Sequence, residues 1–465
     1  MSIQIKKPFK PGGFREFLAI AYPLVISNVS ITLMNFVDRL FLSWSSPEEI
    51  AAAVPAGILF FTVIAFFLGI SEYTNTFVAQ FYGAERLREI GCAAWQGIIL
   101  SFASGVFCYL LYPLGGAVID LFGHSSRIAG LEKVYFGWCL AGAPFFIVNS
   151  ALSSFYSGRG KTKVIMAVNM AANIINAILD YLLIFGVWGF PCWGIKGAAI
   201  ATSISQGLAT LFYFILFLSR ANHEIYNTRA LRIHPPLMKS LFRYGAPVGT
   251  QFMLDVGSFT AFVALIGRLG NIELAASNIV LAINMLAFFP MMGASVATSA
   301  LVGQYIGRKD LVTAEKSVYT SLYSVEAYMI FFAAIYICFP TPLMKLFQGD
   351  YANTEIPFDQ IVKYGAKTLL LVGLYQISDA MNITFNGALR GAGDTAFAMW
   401  ASVVCAWLLF VPGTWAIVGF THWGVLGAWL WATIYLMLLG MIYMLRFRSG
   451  KWKSIRMISD KTTSA

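Results

Sequence analysis

A chain of 465 residues that is 58% hydrophobic and only 12% charged, with mean hydropathy +0.71, carries about half the charge of a soluble domain. That balance excludes an ordinary soluble enzyme, and long apolar runs in place of short alternating segments exclude a transmembrane barrel. The net charge of +10 does not point to nucleic acid, because Lys and Arg gather in alternate loops and in the tails, which is the pattern of membrane topology. Twelve spans are expected, near 17–43, 51–81, 92–113, 134–157, 164–186, 195–219, 242–267, 275–306, 317–340, 365–389, 396–419 and 424–446. The fold class is therefore an all-α polytopic membrane protein.

The first span, FREFLAIAYPLVISNVSITLMNFVDRLFLSW over 14–44, sets the theme. It is too long for a signal peptide and has no small-residue cleavage site, so it is expected to stay in the mature protein. Pro23 sits near its start, where a missing backbone donor can kink the helix. Asp38 sits near its far end, and an acid inside a span is a functional-site candidate by default.

Turn residues and charges separate the spans, as in Ser45-Ser46-Pro47-Glu48 and Gly158-Arg159-Gly160-Lys161. With the N-terminus inside, 24 of the 32 Lys and Arg fall in inside segments and 7 outside, with Arg39 within the first span. That excess sets both termini in the cytoplasm. The basic tail from Arg446 to Lys461 is expected on the anionic inner leaflet, and outside loops are read over 115–133 and 341–363.

The polar stretch 221–241 divides the spans six and six, giving lobes over 1–220 and 242–465. The halves repeat: VAQFYG at 78–83 returns as VGQYIG at 302–307, SGRGKT at 157–162 as RGAGDT at 390–395, and WGIKGAAIAT at 193–202 as WGVLGAWLWAT at 423–433. Six spans is an even number, so both lobes start inside. A pseudo-two-fold axis along the membrane normal therefore relates them, as in rocking transporters.

Depth follows from about 1.5 Å of rise per residue. Asp38 precedes Trp44, and Asp180 precedes Gly186, by six residues each, in spans that run the same way. Both acids should lie roughly 9 Å below the outer boundary. Asn176 is one turn from Asp180 on the same face, and Thr202 of the sixth span falls within reach. In the second half Asp255 and Asp379 lie near mid-depth, with Tyr375 one turn before Asp379. Neither occupies the position that Asp38 or Asp180 would take under the repeat. Such carboxyls can carry a proton or, with Asn, Thr and Tyr oxygens, ligate Na⁺, and the ion and a cationic cargo then compete for one negative charge. An intramembrane acid can also simply bond a neighbouring helix. That plainer reading leads for Glu72 and Glu326, which have no depth-matched partner, and Arg39 beside Asp38 has no assigned role.

The four His and six Cys show no zinc, haem or CxxC spacing, so no transition-metal site and no cofactor are expected. No Walker A, HExxH or GxSxG motif appears, so the chain is not read as an enzyme.

Together these features resemble the multidrug and toxic compound extrusion (MATE) family over nearly the full length. The resemblance rests on A-x-P followed by NFVDRLFL in span 1, VAQFYGA after span 2, GxGKT after span 4, GxxGAAxAT in span 6, YGAPV opening span 7, and YQISDA with LRGAGDT around span 10. It implies an antiporter that exports organic cations and amphipathic drugs or metabolites by alternating access, in exchange for H⁺ or Na⁺. By resemblance Asp38, Asn176, Asp180 and Thr202 line the ion site of the first lobe. Asp255, Tyr375 and Asp379 match second-lobe ion or substrate positions, so elements of both patterns are present. A lipid-linked precursor flippase or a dedicated single-metabolite exporter of the same architecture is the alternative. The expected setting is the bacterial inner membrane, with the bilayer and small molecules as partners and a monomer as the working unit, since one chain supplies both lobes.

Overall fold

The computed structural model describes residues 9–348 and 358–458. Lys6, Lys7, the middle of the 341–363 loop and the tail beyond 458, with Lys461, lie outside the described residues. Seventeen α-helices are present among the described residues. The first lobe holds α1 (Phe14–Ser45), α2 (Pro47–Glu72), α3 (Thr74–Gly83), α4 (Leu87–Leu110), α5 (Tyr112–Leu121), α6 (Ser126–Ser157), α7 (Thr162–Phe185) and α8 (Ile195–Phe217), followed by the short α9 (Arg220–Tyr226). The second holds α10 (Pro235–Gly267), α11 (Asn271–Gly307), α12 (Leu311–Cys338), α13 (Pro340–Lys345), α14 (Phe358–Ala392), α15 (Thr395–Val404), α16 (Val411–Phe420) and α17 (Gly424–Arg448).

Among the described residues, eleven spans are long and apolar enough to cross a bilayer by length and composition. The twelfth is α14, whose 35 residues extend about 52 Å but carry Asp359, Lys363, Lys367, Asp379 and Arg390. Two spans are interrupted. Tyr73 separates α2 from α3, and a π-helical turn at Cys405–Phe410 joins α15 to α16 just before Pro412. A wider turn there accommodates a proline that lacks its backbone donor. The segments read as loops are partly helical: α5 enters the 115–133 stretch, and α10 begins inside the 221–241 stretch. Pro23 lies buried within α1, which stays helical from Phe14 to Ser45.

The two lobes repeat one packing scheme. In the first, α6 lies against α2, α4 and α8, and α1 runs beside α7; in the second, α14 lies against α11, α12 and α17, and α10 runs beside α15. The lobes meet where α1 crosses α11, α2 crosses α10, and α3 crosses α11.

The α3–α11 crossing is made by the repeated motif itself. A Cβ on Gly83 would sit 1.9 Å from the Gln304 carbonyl oxygen, and one on Gly307 would sit 2.1 Å from that of Gln80. The side chains reciprocate: Gln80 Nε2 donates to Gly391 O at 3.1 Å and Gln304 Nε2 to Gly158 O at 2.8 Å. Each contact has its mirror in the other lobe, as a two-fold relation requires. Apolar side chains gain little by leaving lipid, so association in a membrane depends on close backbone approach at small residues.

Both chain ends reinforce this end of the molecule. Near the N-terminus, Gly12 N–H and Tyr305 O–H donate to Glu16 Oε2 at 2.8 and 2.6 Å, while Thr320 Oγ1 donates to Gly12 O at 2.7 Å. Near the C-terminus, Met457 Sδ accepts from Tyr73 and Gln80 of the first lobe, both at 3.3 Å. Farther from this end, cross-lobe contacts among the described residues include Asn28, which donates to Phe289 O at 3.2 Å, and the Phe61–Phe252 ring pair.

Gly83→Ala should lower the melting temperature of the detergent-solubilised protein, because overpacking of this kind costs about 1–3 kcal/mol. Gly130→Ala, where a Cβ meets nothing within 4 Å, should not lower it. Thermal unfolding followed by tryptophan fluorescence checks both.

Candidate functional site

The helices α1 and α7 run parallel in a fixed register. Asn169 Nδ2 donates to Ser27 Oγ at 2.8 Å, and Asn173 Nδ2 to Ser30 Oγ at 2.7 Å. Nearer the far end Phe41 packs on Tyr181 and Phe185. Between these rungs the same register brings the Asp38 carboxyl against that of Asp180. Asp180 is 0% exposed, while Asp38 is half-buried.

Asn176 completes the group on α7 and is also 0% exposed. Its Nδ2 donates to Thr202 Oγ1 at 3.5 Å, and Thr202 in turn donates to Ala198 O at 2.9 Å. Four oxygens in this cluster find no hydrogen-bond donor among the described residues: Asp38 Oδ1, both carboxyl oxygens of Asp180, and Asn176 Oδ1. Buried acceptors are rarely left so. All four sequence-derived residues of this lobe therefore fall in one cluster. Arg39 is exposed, and its positive charge acts on Asp38 from the neighbouring position.

One member has no counterpart in the sequence reading. Tyr135 of α6 interacts with both Asp38 and Asp180 and with Cys139. The depth argument applied to α1 and α7 would also reach it, because α6 runs from the far end and Tyr135 lies nine residues after Ser126.

The second lobe is built differently. Asp255 accepts from Ser402 Oγ at 2.5 Å, with Gln251 also beside it. Gln251 Nε2 donates to Tyr443 OH at 3.2 Å, and Tyr443 donates to Ala398 O at 3.0 Å. Asp379 has Asn382 and Tyr375 for neighbours, and Asn382 Nδ2 donates to Leu436 O at 3.1 Å. Asp255 and Asp379 thus sit in separate surroundings. Glu326 stands on α12, apart from both clusters, and Glu72 faces Arg390 across the lobe interface. Among the described residues no group of three His, Cys, Asp or Glu could hold a metal ion.

A duplicated bundle with acids inside its spans is the architecture of secondary transporters. The chain belongs to the MatE family, whose model matches residues 23–182 and 247–416, one block in each half; it is a multi-pass membrane transporter and not an enzyme. Among its relatives, the probable multidrug resistance protein NorM of Thermotoga maritima is 28% identical over 448 residues, covering 94% of this chain and 93% of that one. The corresponding protein of Pseudomonas putida is 28% identical over 409 residues, covering 86% and 87%. Solved structures share the fold. A MOP superfamily transporter from Pyrococcus furiosus, described as having a binding pocket of reverse polarity, superposes with a TM-score of 0.86 at 20% identity, covering 97% of this chain and all of that one. An outward-facing multidrug resistance MATE transporter gives the same TM-score, identity and coverage.

Contact between the two carboxyls predicts coupling. In a double-mutant cycle of Asp38→Asn and Asp180→Asn, the changes in melting free energy should fail to add by at least about 0.5 kcal/mol. Additivity within the error of the unfolding measurement would place the two groups apart.

Proposed function

We propose that the protein is a cation-coupled antiporter that exports organic cations and amphipathic drugs or metabolites by alternating access. The observation that carries this reading is the set of four donor-less oxygens at Asp38, Asp180 and Asn176. Two bare carboxylates about 4 Å apart repel by about 4 kcal/mol even at an effective dielectric of 20, so the pair requires a cation or a shared proton. H⁺ is the better match than Na⁺, because one shared proton turns one carboxyl oxygen into a donor for the other. Asp255, already held by Ser402, has less need of an added ion. No other cofactor is needed.

The charge of the cluster also favours a cationic cargo. Cargo and proton compete for it, and each shifts the equilibrium between lobe arrangements only through its differential affinity for the two. The relatives named as multidrug resistance proteins support the cargo class. The excess of Lys and Arg at the end that carries both termini supports a cytoplasmic position for that end, and one chain supplying both lobes supports a monomer in the cell membrane. The arrangement described, closed at that end, is then the one that receives the coupling ion from outside.

Ethidium efflux from proteoliposomes tests this. An imposed pH gradient should drive efflux by the wild type, a Na⁺ gradient alone should not, and Asp38→Asn and Asp180→Asn should both fall to the liposome background. Efflux by these variants at the wild-type rate would remove the first-lobe site.

A further inference from the structure

Glu72 ends α2, at the point where Tyr73 interrupts the span. It is half-buried and lines a cavity shared by the two lobes, with Thr76 on its own side and Ser295, Ser299 and Arg390 on the other. The space is about 20 Å³, room for one water-sized molecule. Glu72 faces the Arg390 guanidinium across this gap, and Arg390 Nε is buried without an acceptor. The Arg390 backbone oxygen is held from the first lobe, by Tyr73 O–H at 3.1 Å and Thr76 Oγ1 at 3.5 Å. Arg390 also acts on Asp255 in its own lobe. Its positive charge thus acts on one acid from each lobe.

From this geometry we infer that Glu72 is a binding carboxylate for the organic cation cargo, and that Arg390 occupies it as an internal counter-cation while the terminal end of the lobes is closed. The inference rests on the transporter reading. Glu72 and Arg390 belong to different lobes, so parting the lobes at the terminal end draws them away from each other. Glu72 then faces an opening cavity without its counter-charge, on the side from which cargo enters. A hydrated or aromatic cation restores the balance there. When the lobes close again, Arg390 returns and the cargo site is lost, which favours release on the other side. Thr76, Ser295 and Ser299 supply the polar wall that keeps both charged groups solvated in the closed arrangement.

Binding of tetraphenylphosphonium to the purified, full-length protein tests this by equilibrium dialysis. Glu72→Gln should bind about tenfold more weakly, the effect expected when a charged partner is lost, while Glu72→Asp should retain most of the affinity. Arg390→Gln should bind more tightly than the wild type, because the competing internal cation is gone. Opposite signs at the two positions separate competition from a merely structural role, which would weaken binding in both variants. Unchanged affinity in a folded Glu72→Gln variant, or weaker binding in a folded Arg390→Gln variant, would overturn the inference and leave the antiport reading standing. A wild type that binds no organic cation would overturn both.

Discussion

The structure depends on the crossing of α3 and α11. Two glycines, Gly83 and Gly307, each lie against a backbone carbonyl of the opposite lobe, that of Gln304 and that of Gln80. No side chain larger than hydrogen fits there without parting the lobes. The same two glutamines then reach across to Gly391 and Gly158, at the turns that start α15 and α7. Because every element of the contact is duplicated, the two lobes are held about one axis and cannot slide without breaking both halves together. A paired contact of this kind is either made or broken, and discrete arrangements of that kind make two-state transitions possible. The segments near both chain ends, with Gly12 and Glu16 on one side and Met457 on the other, close over the same region.

Symmetry of the scaffold contrasts with asymmetry of the charge. The parallel α1–α7 pair uses Asn–Ser rungs to fix a register that sets Asp38 and Asp180 against each other. The equivalent α10–α15 pair instead has Ser402 donating to Asp255. One lobe therefore carries acceptors in search of a donor, and the other carries an acid already supplied with one. The duplication built the frame, and divergence within it left the acids of the two halves in different surroundings. Arg390 lies at the boundary between these systems, beside the cavity that the two lobes share.

Much of this was legible in the residues. Eleven of the spans follow from hydropathy alone, the charged α14 needed the repeat to place it, and the even division follows from the linker. The VAQFYG and VGQYIG repeats announced the duplication, although their role as the lobe contact was not visible, since nothing in a motif says which surface it faces. Counting residues from the span ends placed Asp38 and Asp180 at one depth because two parallel straight helices share one rise per residue, and the helical period put Asn176 on the face of Asp180. The same count did not single out Tyr135, because an aromatic near a span end is ordinary in a membrane protein. Glu72 had no depth-matched acid, and its counterpart turned out to be a cation, Arg390, more than three hundred residues along the chain. Pairings across the lobe interface depend on how whole bundles dock, and local periodicity carries no information about that. The π-helical turn at Cys405–Phe410 escaped for a related reason: Pro412 signals a disturbance but not its geometry.

Under the proposed alternating access, transport requires the α3–α11 crossing to part. Thr76 and Ser299 lie across it with their hydroxyls 3.3 Å apart, so cysteines at both positions, in a background lacking the six native ones, would link the lobes when oxidised. The most direct measurement is proton-driven ethidium efflux by this double-cysteine protein before oxidation, after it, and after reduction. Loss of efflux on cross-linking and its return with reductant is the expected result. Undiminished efflux from fully cross-linked protein would contradict the account.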